Sequence, residues 1–584
     1  GQLEEQAENL AFLIKALLLA IGGITLILVA QFNSISKPII FLFSFFLILT
    51  ACDGKLDTLV NDRLEDNPLP DPLTGDAGSA NFSNFVTIGN SLTAGFMDAA
   101  LYNDGQQNSV GALIASQLEL AGAPASFNQP DINSINGFNT SVPNPVNGTV
   151  LGRFKLDTSI PGPSPVINGD PIAPFNGNTA DLNNFGVPGI VVGQLLTPDT
   201  AIPGTAAFNP FYARFASSPG SSTILSDVIA TQPTFFTLWM GNNDVLGFAL
   251  SGATRSEILT PTENFQQQFG AVVNALMTNT QADGIVANIP PILAIPFFRA
   301  IPYNVIELDA QTAAALNQGL SGVNDALDAI VQLGHPEEDA ERRKINYGEG
   351  NNPVLIFDPD LEDLEPKFDQ LLAFGFITPE EREALRPYEQ SRPMTVNLQT
   401  GPELLLLTAG QVLGTLADPS NPQSQIGVVI PLEPQFHLTA LNIIEIETAR
   451  LTFNGIIAAT VQAANQGGVR LGLYDTNAPE SAFLDIFGIS DGELGIRIDG
   501  TLLQPDFSPN GVFSTDGVHP NQRGNAILAN EFIRVIEETF GADIPDFEVL
   551  RLPSVQLCAG DCVSQQQSPG EVPPAENLIL MGSR

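Results

Sequence analysis

Only three histidines, His335, His437 and His519, occur in the 584 residues, so any reaction that needs an imidazole base must draw on one of them. His519 is the one with a carboxylate at a useful spacing. In "GVFSTDGVHPNQRGNAILANEFI", Asp516 precedes it by three residues, just before a helical pattern. In a compact turn that spacing lets the carboxylate reach Nδ1, which sets the tautomer and leaves Nε2 to accept a proton. A serine stands in "FVTIGNSLTAGF", where Ser91 follows an apolar run. A serine at the carboxyl end of a strand faces the region where clefts form in parallel sheets. Two further segments could converge on the same place. "NNFGVPGIVV" carries Asn184 and Gly189, and "FFTLWMGNNDVLGF" carries Asn243 and Asp244 after a second apolar run. A glycine N–H near a helix start can point at an incoming anion, and consecutive polar residues leaving a strand can converge on the first site. Taken singly, each segment has an ordinary alternative role as a cap, a turn or a surface loop.

For these segments to meet, strands must deliver them to one rim. Short apolar runs alternate with helical stretches, the pattern of a parallel sheet covered by helices. Strands are predicted at Phe85–Ile88, Thr234–Met240, Gly284–Ile289 and Val469–Tyr474. Helices are predicted at Ser109–Ala121, Thr262–Met277, Ala440–Asn465 and Asn521–Thr539, where apolar residues recur at spacings of three and four. Residues of about 297–437 read as an insertion between the third and fourth strands. It holds a helix at Asp309–Leu333, a charged patch at Glu337–Lys344 and the apolar run Leu404–Val412, which is either buried core or a lid over the site. No internal repeat is visible.

In chain order, Gly-Asn-Ser-Leu, Asn-x4-Gly, Gly-x-Asn-Asp and Asp-x-x-His-Pro resemble the four blocks of the SGNH hydrolases, also called the GDSL esterase/lipase family. The blocks extend from Phe85 to about Phe540. The resemblance implies an α/β fold, a three-layer α/β/α flavodoxin-like hydrolase with a parallel sheet and here a large insertion. It is distinct from the α/β-hydrolases with their GxSxG elbow. It implies Ser91 as nucleophile, His519 as general base and Asp516 as the residue orienting it. The oxyanion hole would comprise the backbone N–H groups of Ser91 and Gly189 with the side-chain amide of Asn243. Asn90 stands where the family's name-giving motif has Asp, a departure expected to change local hydrogen bonding and not to abolish activity. Asn184 is expected to tie the second block to neighbouring loops, with Asp244 structural beside the site. Neither a metal nor an organic cofactor is implied. His335 and His437 lack such a motif and read as surface or packing residues, although Glu337 and Glu338 lie close to His335.

The implied activity is a serine esterase or lipase that hydrolyses carboxylic esters through an acyl-enzyme. Trp239, Phe235, Phe236, Phe248 and the insertion's apolar run suggest a greasy acyl pocket, so lipid or long-acyl esters are the first substrates expected, although Phe235 and Phe236 fit core packing better. Two alternatives stand beside it: an O-acetyl esterase acting on polysaccharides, and a non-catalytic surface-binding lipoprotein.

Composition supports a large folded core and argues against nucleic acid. The chain has 23 basic and 64 acidic side chains, a net charge of −41, with 43% hydrophobic residues. Phosphate backbones are bound by clustered Lys and Arg, which are scarce here. The 52 glycines and 45 prolines imply long, structured connections. Residues 1–51 form a hydrophobic amino-terminal segment. Leu10–Ala30 is long enough to span a bilayer, and residues 1–40 resemble a transmembrane fragment of a resistance-nodulation-division transporter. Pro38–Ala51 has the length of a signal-peptide core and ends in Leu49-Thr50-Ala51-Cys52, which resembles a bacterial lipoprotein signal with Cys52 as the lipidated residue. That places the protein in the bacterial cell envelope, held at the outer membrane or cell surface through its amino-terminal anchor, with a small-molecule or lipid ester as partner. Residues 52–82 read as an extended tether, 83–545 as the hydrolase domain and 546–584 as a carboxyl-terminal tail, flexible from Val563. Cys558 and Cys562 are close enough in sequence to pair in an oxidising compartment.

Overall fold

The strand Phe85–Gly89 (β1), one in from the sheet's edge, is buried at every residue, as the apolar run before Ser91 requires. The computed structural model describes residues 73–141, 148–159, 162–490 and 492–563. The amino-terminal segment with Cys52, most of the tether and the end of the tail lie outside them. Asn184–Gly186 (β2), Phe235–Trp239 (β3), Asp283–Ala287 (β4) and Leu471–Tyr474 (β5) complete a five-stranded sheet in the order β5-β4-β3-β1-β2. All four strand pairings are parallel. Four of the strands are those predicted; β2 is an addition, an edge strand of three residues.

Alternation along β1 and β3 shows how both faces are covered. Phe235 and Trp239 point to one face, where they meet the rings of Phe540 and Phe532. Val86, Ile88, Phe236 and Leu238 point to the other and are equally inaccessible to solvent. The helices that matter to the sheet and the site include Val110–Leu118 (α1), Asn242–Leu250 (α2), Thr262–Asn279 (α3), Ala310–Gln332 (α4), Ala440–Ala464 (α5) and Gln522–Phe540 (α6). In α3 the buried residues Phe265, Phe269, Val272, Val273 and Leu276 form one stripe, and Phe265 stacks on Phe453 of α5 at 4.1 Å. The α6 helix starts at Asn521, whose side chain accepts from the backbone of Arg523 and Gly524. That cap fixes the point where the chain leaves His519.

The insertion, about 297–437, folds around apolar clusters of its own. One lies around α4, including Leu327, Ile330, Phe368 and Leu371. The apolar run Leu404–Val412 is not a helix. Leu404–Leu405 pairs with His437–Leu438, and a tight helical turn follows at Leu407–Gln411. Leu404, Leu405, Leu406 and Ala409 are buried, whereas Gly410 and Gln411 are exposed, so the first half of the run is core. Beside it Arg392 forks onto Glu403 and bonds Asp358, an ion cluster inside the insertion.

The described part of the tail is packed. Val549 is buried, Leu557 bridges Leu156, Cys562 bridges Val166, and Cys558 and Cys562 form a disulfide. Among the described residues no helix is long and apolar enough to cross a membrane.

Candidate active site

Strand register brings the separated segments to one rim. Gly89 of β1 lies opposite Gly186 of β2 and Trp239 of β3, so the chain leaves all three strands at one level. In the order β5-β4-β3-β1-β2 the winding reverses between β1 and β3, where crevices open beyond the carboxyl ends. Ser91 comes two residues after Gly89, Gly189 three after Gly186, and Asn243 four after Trp239.

Ser91 opens a helical turn, Ser91–Ala94, capped by Asn90, whose Oδ1 accepts from the Leu92 N–H at 3.1 Å. A cap is a role Asn fills as well as Asp, which accounts for Asn90 at this place. Asn184 holds the turn from the edge strand: its amide donates to Thr93 O at 2.9 Å and to Gln129 at 2.8 Å. Gly186 permits the contact, because a Cβ there would collide with the backbone of Thr93 and Ala94.

His519 Nε2 lies 2.9 Å from Ser91 Oγ, and its Nδ1 lies 2.8 Å from Asp516 Oδ2. Phe96 packs its ring 5.0 Å from the imidazole. Asp516 is fully enclosed. Its Oδ1 accepts from the Val518 and His519 N–H groups and from Ser514 Oγ, and its Oδ2 also accepts from the Ala99 N–H. Burial pushes this carboxyl up, but the neighbouring imidazole and the converging donors outweigh it and hold it down at about 2. An ionised Asp516 in this position can orient the ring and would stabilise an imidazolium if Nε2 took a proton. The loop is braced by the insertion, whose Phe297 N–H donates to Gly517 O at 2.8 Å.

Asn243 and Asp244 reach the Gly189 segment. Asn243 Nδ2 donates one hydrogen to Ile190 O at 2.9 Å, which leaves its second amide hydrogen for another acceptor. Asp244 Oδ2 accepts from the Val192 N–H and Oδ1 from Thr260 Oγ1. Burial pushes its carboxyl up to about 7. Gly189 has φ 80°, the left-handed region, and among the described residues neither its N–H nor that of Ser91 donates a hydrogen bond. The neighbouring Asn242 is buried with both amide atoms unpartnered among the described residues.

The other two imidazoles are elsewhere. His335 bonds Asp339 and Lys367, each at 2.7 Å, within the insertion. His437 Nε2 donates to Phe357 O at 3.0 Å, and burial pushes its imidazole down to about 4. The aromatic residues do not form an acyl pocket: Trp239, Phe235, Phe236 and Phe248 are all buried, and Trp239 packs against Tyr474, Phe483 and Phe532. Two grooves of about 310 and 400 Å³ lie beside the sheet's β2 edge, lined by residues such as Phe127, Asn128 and Asp181; neither is lined by Ser91, His519 or Asp516. Among the described residues no group of three or more His, Cys, Asp or Glu is placed to hold a metal ion.

Of the residues that sequence reasoning missed, Ala99 and Ser514 bond Asp516 directly, while Asp98 bonds Ser514 and Thr515 behind it. Three of the donor atoms involved are backbone amides, which no residue type advertises. No family model, curated protein or solved structure matches this chain.

Proposed function

We propose that this chain is a serine esterase of the SGNH (GDSL) type, with a three-layer α/β/α flavodoxin-like core, acting on carboxylic esters. The observation that carries the reading is the continuous relay Ser91 Oγ–His519 Nε2 at 2.9 Å and His519 Nδ1–Asp516 Oδ2 at 2.8 Å, at the carboxyl ends of a parallel sheet. As Ser91 Oγ bonds to the ester carbonyl carbon, its proton passes to Nε2 and charge gathers on the carbonyl oxygen. The N–H groups of Ser91 and Gly189 and the second amide hydrogen of Asn243 are the donors for that oxygen. Collapse expels the alcohol, which takes the proton from Nε2 and leaves an acyl-Ser91. Water then gives its proton to Nε2, attacks the acyl carbon, and Ser91 departs with that proton.

Burial of the aromatic residues around β3 removes an acyl pocket as support for a long-chain lipid substrate, so the substrate class proposed is carboxylic esters without a set chain length. The sequence around Cys52 supports attachment to the bacterial cell envelope through a lipidated amino terminus. A fluorophosphonate probe should label Ser91 in the wild type. Ser91→Ala should abolish turnover of p-nitrophenyl esters with an unchanged melting temperature; full activity in that variant would reject the nucleophile.

A further inference from the structure

Behind Asp516 the chain makes a turn of unusual backbone. Met97 and Ala100 exchange backbone hydrogen bonds at 3.2 and 3.1 Å, and the two residues between them, Asp98 and Ala99, have φ of 55° and 59°. Two successive left-handed residues are the pattern of a type I′ turn, which Asn and Gly fill readily and Ala does not. Strain of this kind persists only where surrounding structure over-determines it. Here it aims two consecutive N–H groups at the loop that carries the relay. Ala99 donates to Asp516 Oδ2 at 3.0 Å. Asp98 donates to Ser514 Oγ at 3.0 Å, and that hydroxyl donates to Asp516 Oδ1 at 3.0 Å.

The Asp98 side chain completes the clamp. Its Oδ1 accepts from the Thr515 N–H at 2.9 Å and from Thr515 Oγ1 at 2.6 Å, and its Oδ2 accepts from Tyr102 OH at 2.8 Å. Arg153 Nη1 stands 4.0 Å from Oδ2, with its guanidinium 4.3 Å over the Tyr102 ring. Ser514, Thr515 and Asp516 are therefore all gripped by one turn that, among the described residues, makes no hydrogen bond to His519 or Ser91.

We propose that Asp98 is a positioning residue for the Asp516–His519 pair: by holding Thr515 and Ser514 it fixes the height and tilt of the Asp516 carboxylate, and through it the imidazole. The proposal rests on the reading of Ser91, His519 and Asp516 as a hydrolytic relay. Burial, with the nearby Asp516 carboxylate adding to it, raises Asp98 above its ordinary value against the donors of Thr515 and Tyr102. Acceptance at Oδ1 does not require a charge, so a neutral amide is a suitable replacement.

The test combines ester turnover with proton NMR of the His519 Nδ1–H resonance, which reports the bond to Asp516 whether or not a substrate is turned over. The resonance is assigned by its loss in His519→Gln. Asp98→Ala should move the resonance or broaden it away and lower kcat ten- to a hundredfold with KM within twofold, since displacements of about 1 Å at a reacting pair cost about a hundredfold. Asp98→Asn should restore the resonance and bring kcat within threefold of wild type. An unmoved resonance in Asp98→Ala overturns the proposal whatever its turnover. Where Asp98→Ala is not recovered folded, Thr515→Val should shift the same resonance, and an unmoved one overturns the proposal equally. Failure of the hydrolase reading shows separately, as absence of ester turnover in the wild-type protein.

Discussion

Ser91 Oγ and His519 Nε2 lie 2.9 Å apart although 428 residues separate them along the chain. Nothing local could arrange this contact. The serine is placed by β1 and its capped turn, the histidine by the start of α6, and the two meet because both elements pack on the same sheet.

Asp516→Asn should lower kcat by about 10⁴-fold, the loss seen when the third member of such a relay can no longer hold the productive tautomer. Fold and substrate binding should persist, so KM and melting temperature are the controls.

Gly189→Ala places a Cβ on a residue with φ 80°, a conformation that costs an L-residue about 1–2 kcal/mol. Relaxation would turn the N–H away from the rim. A lost oxyanion donor typically costs about 10²–10³ in kcat, and steady-state kinetics on a p-nitrophenyl ester should show a fall approaching that range.

Asp244 links pH to stability. Its folded carboxyl sits at about 7, against an ordinary 3.8, so the folded chain holds a proton that the unfolded chain has released between those values. The stabilisation is full below about pH 4 and is lost as pH rises through about 7, a change on the order of 4 kcal/mol. Asp244→Asn is neutral throughout. Melting curves from pH 5 to 8 should therefore decline less steeply in that variant than in wild type; parallel declines would refute the assignment.

The Cys558–Cys562 disulfide closes a short loop that pairs with strands at 151–167, away from Ser91. Loop-closure entropy for so few residues amounts to about 2 kcal/mol. Replacing both cysteines by serine should lower stability by no more than that and leave ester turnover unchanged, as denaturant titration and kinetics would show.

Continuous apolar runs located four of the five sheet strands, and apolar spacings of three and four located the five helices predicted, because an element long enough to show its burial pattern declares itself. Asp516 and His519 were legible for a related reason: three residues in a turn form a local relationship that spacing describes. The edge strand Asn184–Gly186 was not, since three residues carry no period and it exists through pairing with β1. Nor was the burial of Trp239, which depends on Phe532 and Tyr474 arriving from distant segments. The turn at Asp98 and Ala99 shows the limit most clearly. Its contribution is made by the direction of backbone N–H groups, which follows from φ and ψ imposed by the packed loops around it, and side-chain identity carries no record of that.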